Sequence, residues 1–302
     1  MIPYILQHRK EGPLPKITYP DAPIILLNFY KTSLEIDKLA IFLEKKPSTL
    51  QNAINRIRPV LLDCLKNDWC SNPPRPRPLN DTYFPHIALL IDSTSIEVFR
   101  PKAPFSEAKI YWDTKNHMYA LKKEVAVMAS KPHYCIFIQK FFVGSRHDYE
   151  NFKETYHTYL EYLRKKTDEL VSIPEDHLNY SWSVLLDKAY IRPESATEGL
   201  RKITPKKNVN TYIDTLQNFD KNKIRVAIEC FFGRTKKLWK MFREVYRWSH
   251  ENFDLDFDIC ALLTNEHIRN NRLEEIDKNF GIQVMQIKIA NQEKREKKRK
   301  LE

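Results

Sequence analysis

The chain is poor in glycine: 5 residues among 302. A glycine-rich loop cradling phosphates is therefore not expected. Cysteine is equally sparse. Cys64, Cys70, Cys135, Cys230 and Cys260 are odd in number and form no Cys-x-x-Cys pair, which argues against a zinc ribbon and a disulfide frame. No secretory-type apolar segment follows Met1, so a reduced, intracellular protein is expected. No apolar run reaches the length of a transmembrane helix, and no basic amphipathic helix carries bulky exposed apolar residues, so no membrane partner is expected. Gly-x-Ser-x-Gly is absent, and Cys230 falls in a helical stretch without an evident histidine partner, which excludes the common serine and cysteine hydrolase designs. His86, His117 and His133 lack metal-ligand spacing. There are no internal repeats.

What is present points elsewhere. Hydrophobic residues make up 42% and aromatics 12%, enough for a core and too much for a disordered chain. The net charge is +11. Residues 288–302 account for +4, so the remainder is basic in its own right. A polyanionic partner, nucleic acid above all, fits such a balance; the plainer alternative is a basic soluble protein without one.

Residues 1–70 read as an N-terminal helical region resembling a helix-turn-helix. The first 30 residues hold several prolines and no clear period. Thr32 with Glu35 resembles a capping box, and Leu34, Leu39, Phe42 and Leu43 would line one helix face. Ser48 would cap the next helix, where Leu50, Ile54, Ile57, Leu61 and Leu65 recur at helical spacing and Pro59 would introduce a kink. This second helix would present Thr49, Gln51, Asn52, Asn55 and Arg56 outward, residue types that can bond base edges in a major groove. Plain scaffolding is the alternative. Residues 71–85 begin SNPPRPRP and read as an extended linker.

From 86 to 285 the periodicity is that of an α/β domain. HIALLID (86–92) is an apolar run ending in a carboxylate, and SVLLD (183–187) is another. EVAVMAS (124–130) and YCIFIQKFFVG (134–144) read as a hairpin. Residues 150–170, 222–243 and 254–269 read as helices. A basic tail, 286–302, would serve nuclear import or DNA anchoring, or be a solvated end.

Asp92 and Asp187 each follow a short apolar run, which would set them at the carboxyl ends of buried strands, where α/β sites gather. Buried carboxylates need a cation, and a divalent metal would give both a shared reason. Glu229 borders a stripe of Ile224, Ile228, Phe231, Leu238 and Phe242 that would pack its helix on the sheet. Lys236 lies two turns further on and could meet a phosphate. An ordinary surface glutamate is the alternative for Glu229.

These segments resemble the DDE superfamily endonucleases of the Harbinger and related transposases. IDSTSIEVFRP (91–101), YWDTKNHMYALK (111–122), GSRHD (144–148), LLDKAY (185–190), TPKK (204–207), NKIRVAIECFFGRTK (222–236) and ALLTNEHI (261–268) match that family's blocks in order. Cys230, Tyr149, Glu150 and Thr264 depart from its usual residues, but no carboxylate is missing. The resemblance implies an RNase H-like mixed sheet flanked by helices. It also implies a catalytic and metal-binding triad of Asp92, Asp187 and Glu229, with Asp92 bridging two Mg²⁺ (or Mn²⁺) ions. Such ions, about 3.5–4 Å apart, clamp both ends of an in-line phosphodiester displacement. It implies double-stranded DNA as partner, a homo-oligomer on that DNA, in some members a separate DNA-binding protein, and a nuclear location if the source is eukaryotic. A domesticated DNA-binding or chromatin protein without turnover is the alternative.

Other candidates sit around this triad. Arg146 could bind phosphate, and His147 and Asp148 could be catalytic or could position a loop near the metal; a near-site structural role is favoured, and a turn set by Gly144 with side chains bonded to nearby backbone is the alternative. Lys237 and Lys240 are further DNA-contact candidates. Trp239, Arg243, Tyr246, Arg247 and Trp248 could contact DNA by phosphate bonds and stacking, or could be a helix burying its aromatic rings.

Overall fold

Two runs of β-branched and aliphatic residues build the centre of the protein. In the computed structural model the described residues run from 16 to 273, apart from 19, 171, 174, 175, 177, 192–196 and 208–210, so the basic tail lies outside them. Strand β1 (Ile87–Glu97) is buried through its first five residues, as a strand covered on both faces must be. It pairs antiparallel with β3 (Met118–Met128), whose last nine residues are all buried. Its other edge pairs parallel with β6 (Ser183–Leu185), and β6 pairs parallel with β7 (Arg201–Ile203). Three short strands share the far edge of β3: β2 (Trp112–Asp113), β5 (Phe142–Val143) and β4 (Cys135–Ile138). The result is a mixed sheet ordered β2-β3-β1-β6-β7. The expected hairpin forms, but its second strand is interrupted, because Phe141 gives its N–H to Asp254 instead of the ladder.

Helices cover both faces. On one lie α4 (Asp148–Thr155) and α5 (His157–Leu163), a stretch that reads as one helix in the sequence but breaks at Tyr156. Phe152, Tyr159 and Leu163 pack there with Leu89, Ile91 and Trp182. On the other lie α1 (Asp21–Thr32), α2 (Ile36–Phe42), α3 (Pro47–Trp69), α6 (Tyr212–Leu238) and α7 (Phe253–Asn270), around Leu90, Val125 and Leu185. Among the described residues no helix is long and apolar enough to cross a membrane, and all five cysteines are free thiols.

The N-terminal third corrects several expectations. Residues 21–32 form a helix where no period was read. Ala22, Ile25, Leu26, Phe29 and Tyr30 are its buried face, at ordinary helical spacing, but the prolines around it hide the pattern. Thr32 closes this helix, donating its hydroxyl to the Asn28 carbonyl and accepting the Leu34 N–H, while Glu35 is the residue that precedes the next helix, so no capping box forms. Phe42 is 77% exposed rather than facing the core. Helix α3 starts with Pro47 in its first turn and Lys46 before it, without a Ser48 cap, and runs through Pro59 without ending. Leu50, Ile54, Ile57, Leu61 and Leu65 are buried as the spacing predicts.

Polar bonds hold these helices to the body. Buried Asp256 on α7 accepts from the hydroxyls of Tyr30 (2.8 Å) and Tyr246 (2.9 Å) and pairs with Arg58, whose Nε lies 2.6 Å from its Oδ1. The proline-rich segment is stapled by Arg75, which donates to both oxygens of Glu169 and to the carbonyls of Tyr162 and Arg164.

Candidate active site

The two aspartates meet because of strand register. Leu90 of β1 stands opposite Leu185 of β6 in the parallel ladder. Asp92 and Asp187 are each two residues further along. Side chains alternate along a strand, so both point to the same face as those leucines, on neighbouring chains about 4.8 Å apart. β6 ends at Leu185, while β1 continues past it to Glu97. Asp92 is thus in mid-strand rather than at a strand end; the end it occupies is that of its neighbour. Asp187 opens a single 3₁₀ turn, Lys188–Tyr190.

Helix α6 crosses this face and brings two more charged groups. Val226, Ile228 and Phe231 are among its buried residues, which leaves Arg225 and Glu229, one turn apart, at the border of the buried face. Arg225 Nη1 lies 2.9 Å from Asp187 Oδ1, and Nη2 lies 3.3 Å from Asp92 Oδ2 and 4.0 Å from Glu229 Oε1. All three sequence-predicted carboxylates therefore converge on one guanidinium. The site is half open: side-chain exposure is 21% for Asp92, 31% for Asp187, 22% for Glu229 and 14% for Arg225.

Burial raises the Asp92 carboxyl above the ordinary aspartate range and Asp187 adds to this, against the stabilising Arg225 charge and the Ser93 N–H, which donates to Asp92 Oδ1 at 2.9 Å. Burial disfavours the Arg225 charge, yet the surrounding carboxylates more than offset it, so the guanidinium stays firmly protonated. Among the described residues no three His, Cys, Asp or Glu side chains stand close enough together to hold a metal ion, and here the Arg225 guanidinium fills the space between them.

Three neighbours complete the setting. Lys236 donates to the Ser95 carbonyl at 3.2 Å, and burial lowers its pKa. Its ammonium is thus fixed against β1, three residues beyond Asp92. Tyr190 and Ser93 share a hydroxyl contact of 3.2 Å, tying the Asp187 turn to the Asp92 strand. Lys115 is exposed on the β2–β3 turn and lowers the pKa of Asp92 by its charge. Asp113 anchors that turn by accepting from Ser95, Asn116 and the Lys115 N–H.

The pentapeptide GSRHD is a structural corner. A Cβ on Gly144 would lie 2.3 Å from the Tyr111 carbonyl oxygen, so only glycine lets these backbones approach. His147 caps α4, its Nδ1 accepting from the Tyr149 N–H at 3.2 Å. Asp148 pairs with Lys122 at 3.3 Å, and Arg146 pairs with Glu154.

The candidate DNA contacts are dispersed. Gln51 donates to Asn55 one turn on, and Asn52 is exposed. Arg56 is not presented outward: half buried, it donates to the Ile17 carbonyl at 3.0 Å. The exposed face of α3 also carries Asp63 and Asp68 beside Lys66, so it is not a basic surface. Lys237 is exposed, while Lys240 pairs with Glu244 at 3.4 Å. The aromatic run after α6 is largely core. Trp239 is buried and donates to Thr264, Tyr246 is buried against Asp256, and Trp248 packs edge-on to Phe29. Asn265 clamps β4 by bonding both backbone groups of Cys135.

Sequence reasoning missed Arg225 and Lys115. Arg225 had a visible signal, a cation four residues before Glu229, but that spacing is also that of an ordinary helical ion pair. The family model described as DDE superfamily endonuclease matches residues 91–265, a span that includes all four groups of the centre. No curated protein and no solved structure matches the chain.

Proposed function

Since the chain belongs to the DDE superfamily endonucleases, we propose that it is a metal-dependent DNA endonuclease of the Harbinger transposase type, cutting phosphodiester bonds and transferring strands. One observation carries this reading. Three carboxylates from three separate elements turn toward a single cation position at a half-open face. Strand order supports it too: an antiparallel β1–β3 pair with β6 and β7 added in parallel on the other edge of β1 is the arrangement an RNase H-like sheet requires.

The donor set suits Mg²⁺ or Mn²⁺, hard ions that take oxygen ligands. Asp92, Asp187 and Glu229 would be the residues that hold the ions. When bound, these ions would polarise the scissile phosphate and activate water or a 3′-hydroxyl as nucleophile. The protein's own part is geometric and electrostatic. The Leu90–Leu185 register fixes the spacing of the aspartates, and helix α6 sets Glu229 over them. Lys115, whose charge acts on Asp92, and Lys236, held on the Ser95 carbonyl further along β1, would supply positive charge toward a DNA phosphate. Double-stranded DNA is the proposed partner, bound by a homo-oligomer, with a nuclear location in a eukaryotic source.

Nicking of a supercoiled plasmid in Mg²⁺ or Mn²⁺ tests the reading, with wild type compared to Asp187→Asn. Metal-dependent nicking that disappears in a folded variant supports it. DNA binding without nicking by either protein would favour a domesticated DNA-binding protein, and equal nicking by both would refute the site.

A further inference from the structure

The centre contains its own cation. Arg225 reaches all three carboxylates from the turn of α6 preceding Glu229, with its two terminal nitrogens 2.9, 3.3 and 4.0 Å from the three nearest oxygens. A magnesium ion sits about 2.0–2.1 Å from its oxygen ligands and needs several of them at once. The oxygens now facing Arg225 would have to close in around such an ion. A guanidinium cannot remain within hydrogen-bond distance of the same oxygens without crowding the ion and repelling its charge. Either kind of cation satisfies the carboxylates, but the guanidinium in its present place and a metal ion cannot share the same oxygens.

We infer that Arg225 is a resident counter-cation that competes with the divalent metal and must be displaced for the centre to load. This rests on the proposed reading of the centre as a metal site, and it deepens that reading. In the metal-free protein the guanidinium offsets one of the three negative charges that the fold holds on adjacent elements, and so helps to keep α6 seated on the sheet. Metal entry exchanges one set of charge-assisted bonds for another. Affinity is therefore lower than the bare carboxylates would give, and the protein is stable with or without metal. A long, unbranched side chain at the edge of a helix can swing aside without disturbing the backbone, which a buried lysine or arginine fixed on the sheet could not do.

Mn²⁺ binding, followed by titration calorimetry and by the thermal shift it produces, separates the possibilities without any activity readout. Arg225→Gln should melt lower than wild type without metal, bind Mn²⁺ at least about tenfold more tightly, and gain more in melting temperature from saturating Mn²⁺. Arg225→Lys, which keeps the charge but not the two-pronged reach, should fall between them, and it serves if the glutamine variant fails to fold. Asp187→Asn should weaken Mn²⁺ binding in either background, locating the ion. Wild-type binding that is unchanged or weakened in both Arg225 variants would overturn the competition while leaving the metal site standing. Absence of Mn²⁺ binding in wild type and variants alike would overturn the metal site itself.

Discussion

Asp92 and Asp187 are neighbours because each stands two residues beyond a leucine, and those leucines, Leu90 and Leu185, are partners in a parallel ladder. Their proximity follows from hydrogen-bond register, so it does not depend on a ligand to assemble it.

Neutralising Asp92 or Glu229 should therefore abolish chemistry and spare the fold. Asp92→Asn and Glu229→Gln are expected to slow metal-dependent nicking by at least roughly a thousandfold, as for groups that act as a unit. Each change also removes one like charge from a crowded centre, so the melting temperature without metal should stay within a few degrees of wild type. Nicking rates and thermal melts on the same preparations check both halves.

The Arg58–Asp256 pair lies at the seam between the N-terminal helices and α7, and both side chains are almost fully buried. Removing one partner strands the other charge. Arg58→Ala should cost about 3–5 kcal/mol by urea denaturation. A loss below about 1 kcal/mol would mean that Tyr30 and Tyr246 satisfy Asp256 by themselves.

Glu124 of β3 is fully buried, and burial raises its carboxyl to about 7, against the bonds from Tyr159, Thr155 and Asn151. A carboxyl whose folded pKa exceeds its unfolded value binds its proton more tightly when folded. Its contribution is complete below about pH 4.5 and is lost as pH rises through about 7. The difference amounts to about 3 kcal/mol at most. Urea midpoints from pH 5 to 8 should fall for wild type relative to Glu124→Gln, and parallel curves for the two would show that the group does not titrate in that window.

Gly144→Ala should destabilise by about 2–3 kcal/mol, since the added methyl meets three backbone atoms rather than a movable side chain. Cleavage within the 111–122 and 144–148 segments during limited proteolysis would show the corner loosening; a variant as stable and as resistant as wild type would contradict the geometry.

Much of the centre was legible in the sequence for reasons that can be named. An apolar run closing on an aspartate is what a buried strand beside a site looks like; HIALLID forms the start of β1, and SVLLD forms β6 with Asp187 two residues past its end. Glu229 was legible from its place beside the apolar stripe of α6. Arg225 was not, because helical spacing cannot tell a surface ion pair from a guanidinium reaching a strand and a turn elsewhere in the fold. Helix α1 was hidden by its prolines although its buried positions recur regularly. The run from Trp239 to Trp248 has the composition of a stacking surface and the placement of a core, and no local pattern separates the two.

The Asp256 network joins residues 226 and 198 positions apart, Tyr30 and Arg58 to a helix near the end of the described chain. Those first helices leave the ribosome long before α7 exists to receive them. Their apolar faces must wait, exposed or held by chaperones, while the rest of the sheet is translated. Nascent chains stalled before residue 253 should leave α1 and α3 open to protease, and chains released past residue 270 should protect them. Among the described residues, the last helix made is the one that closes the first.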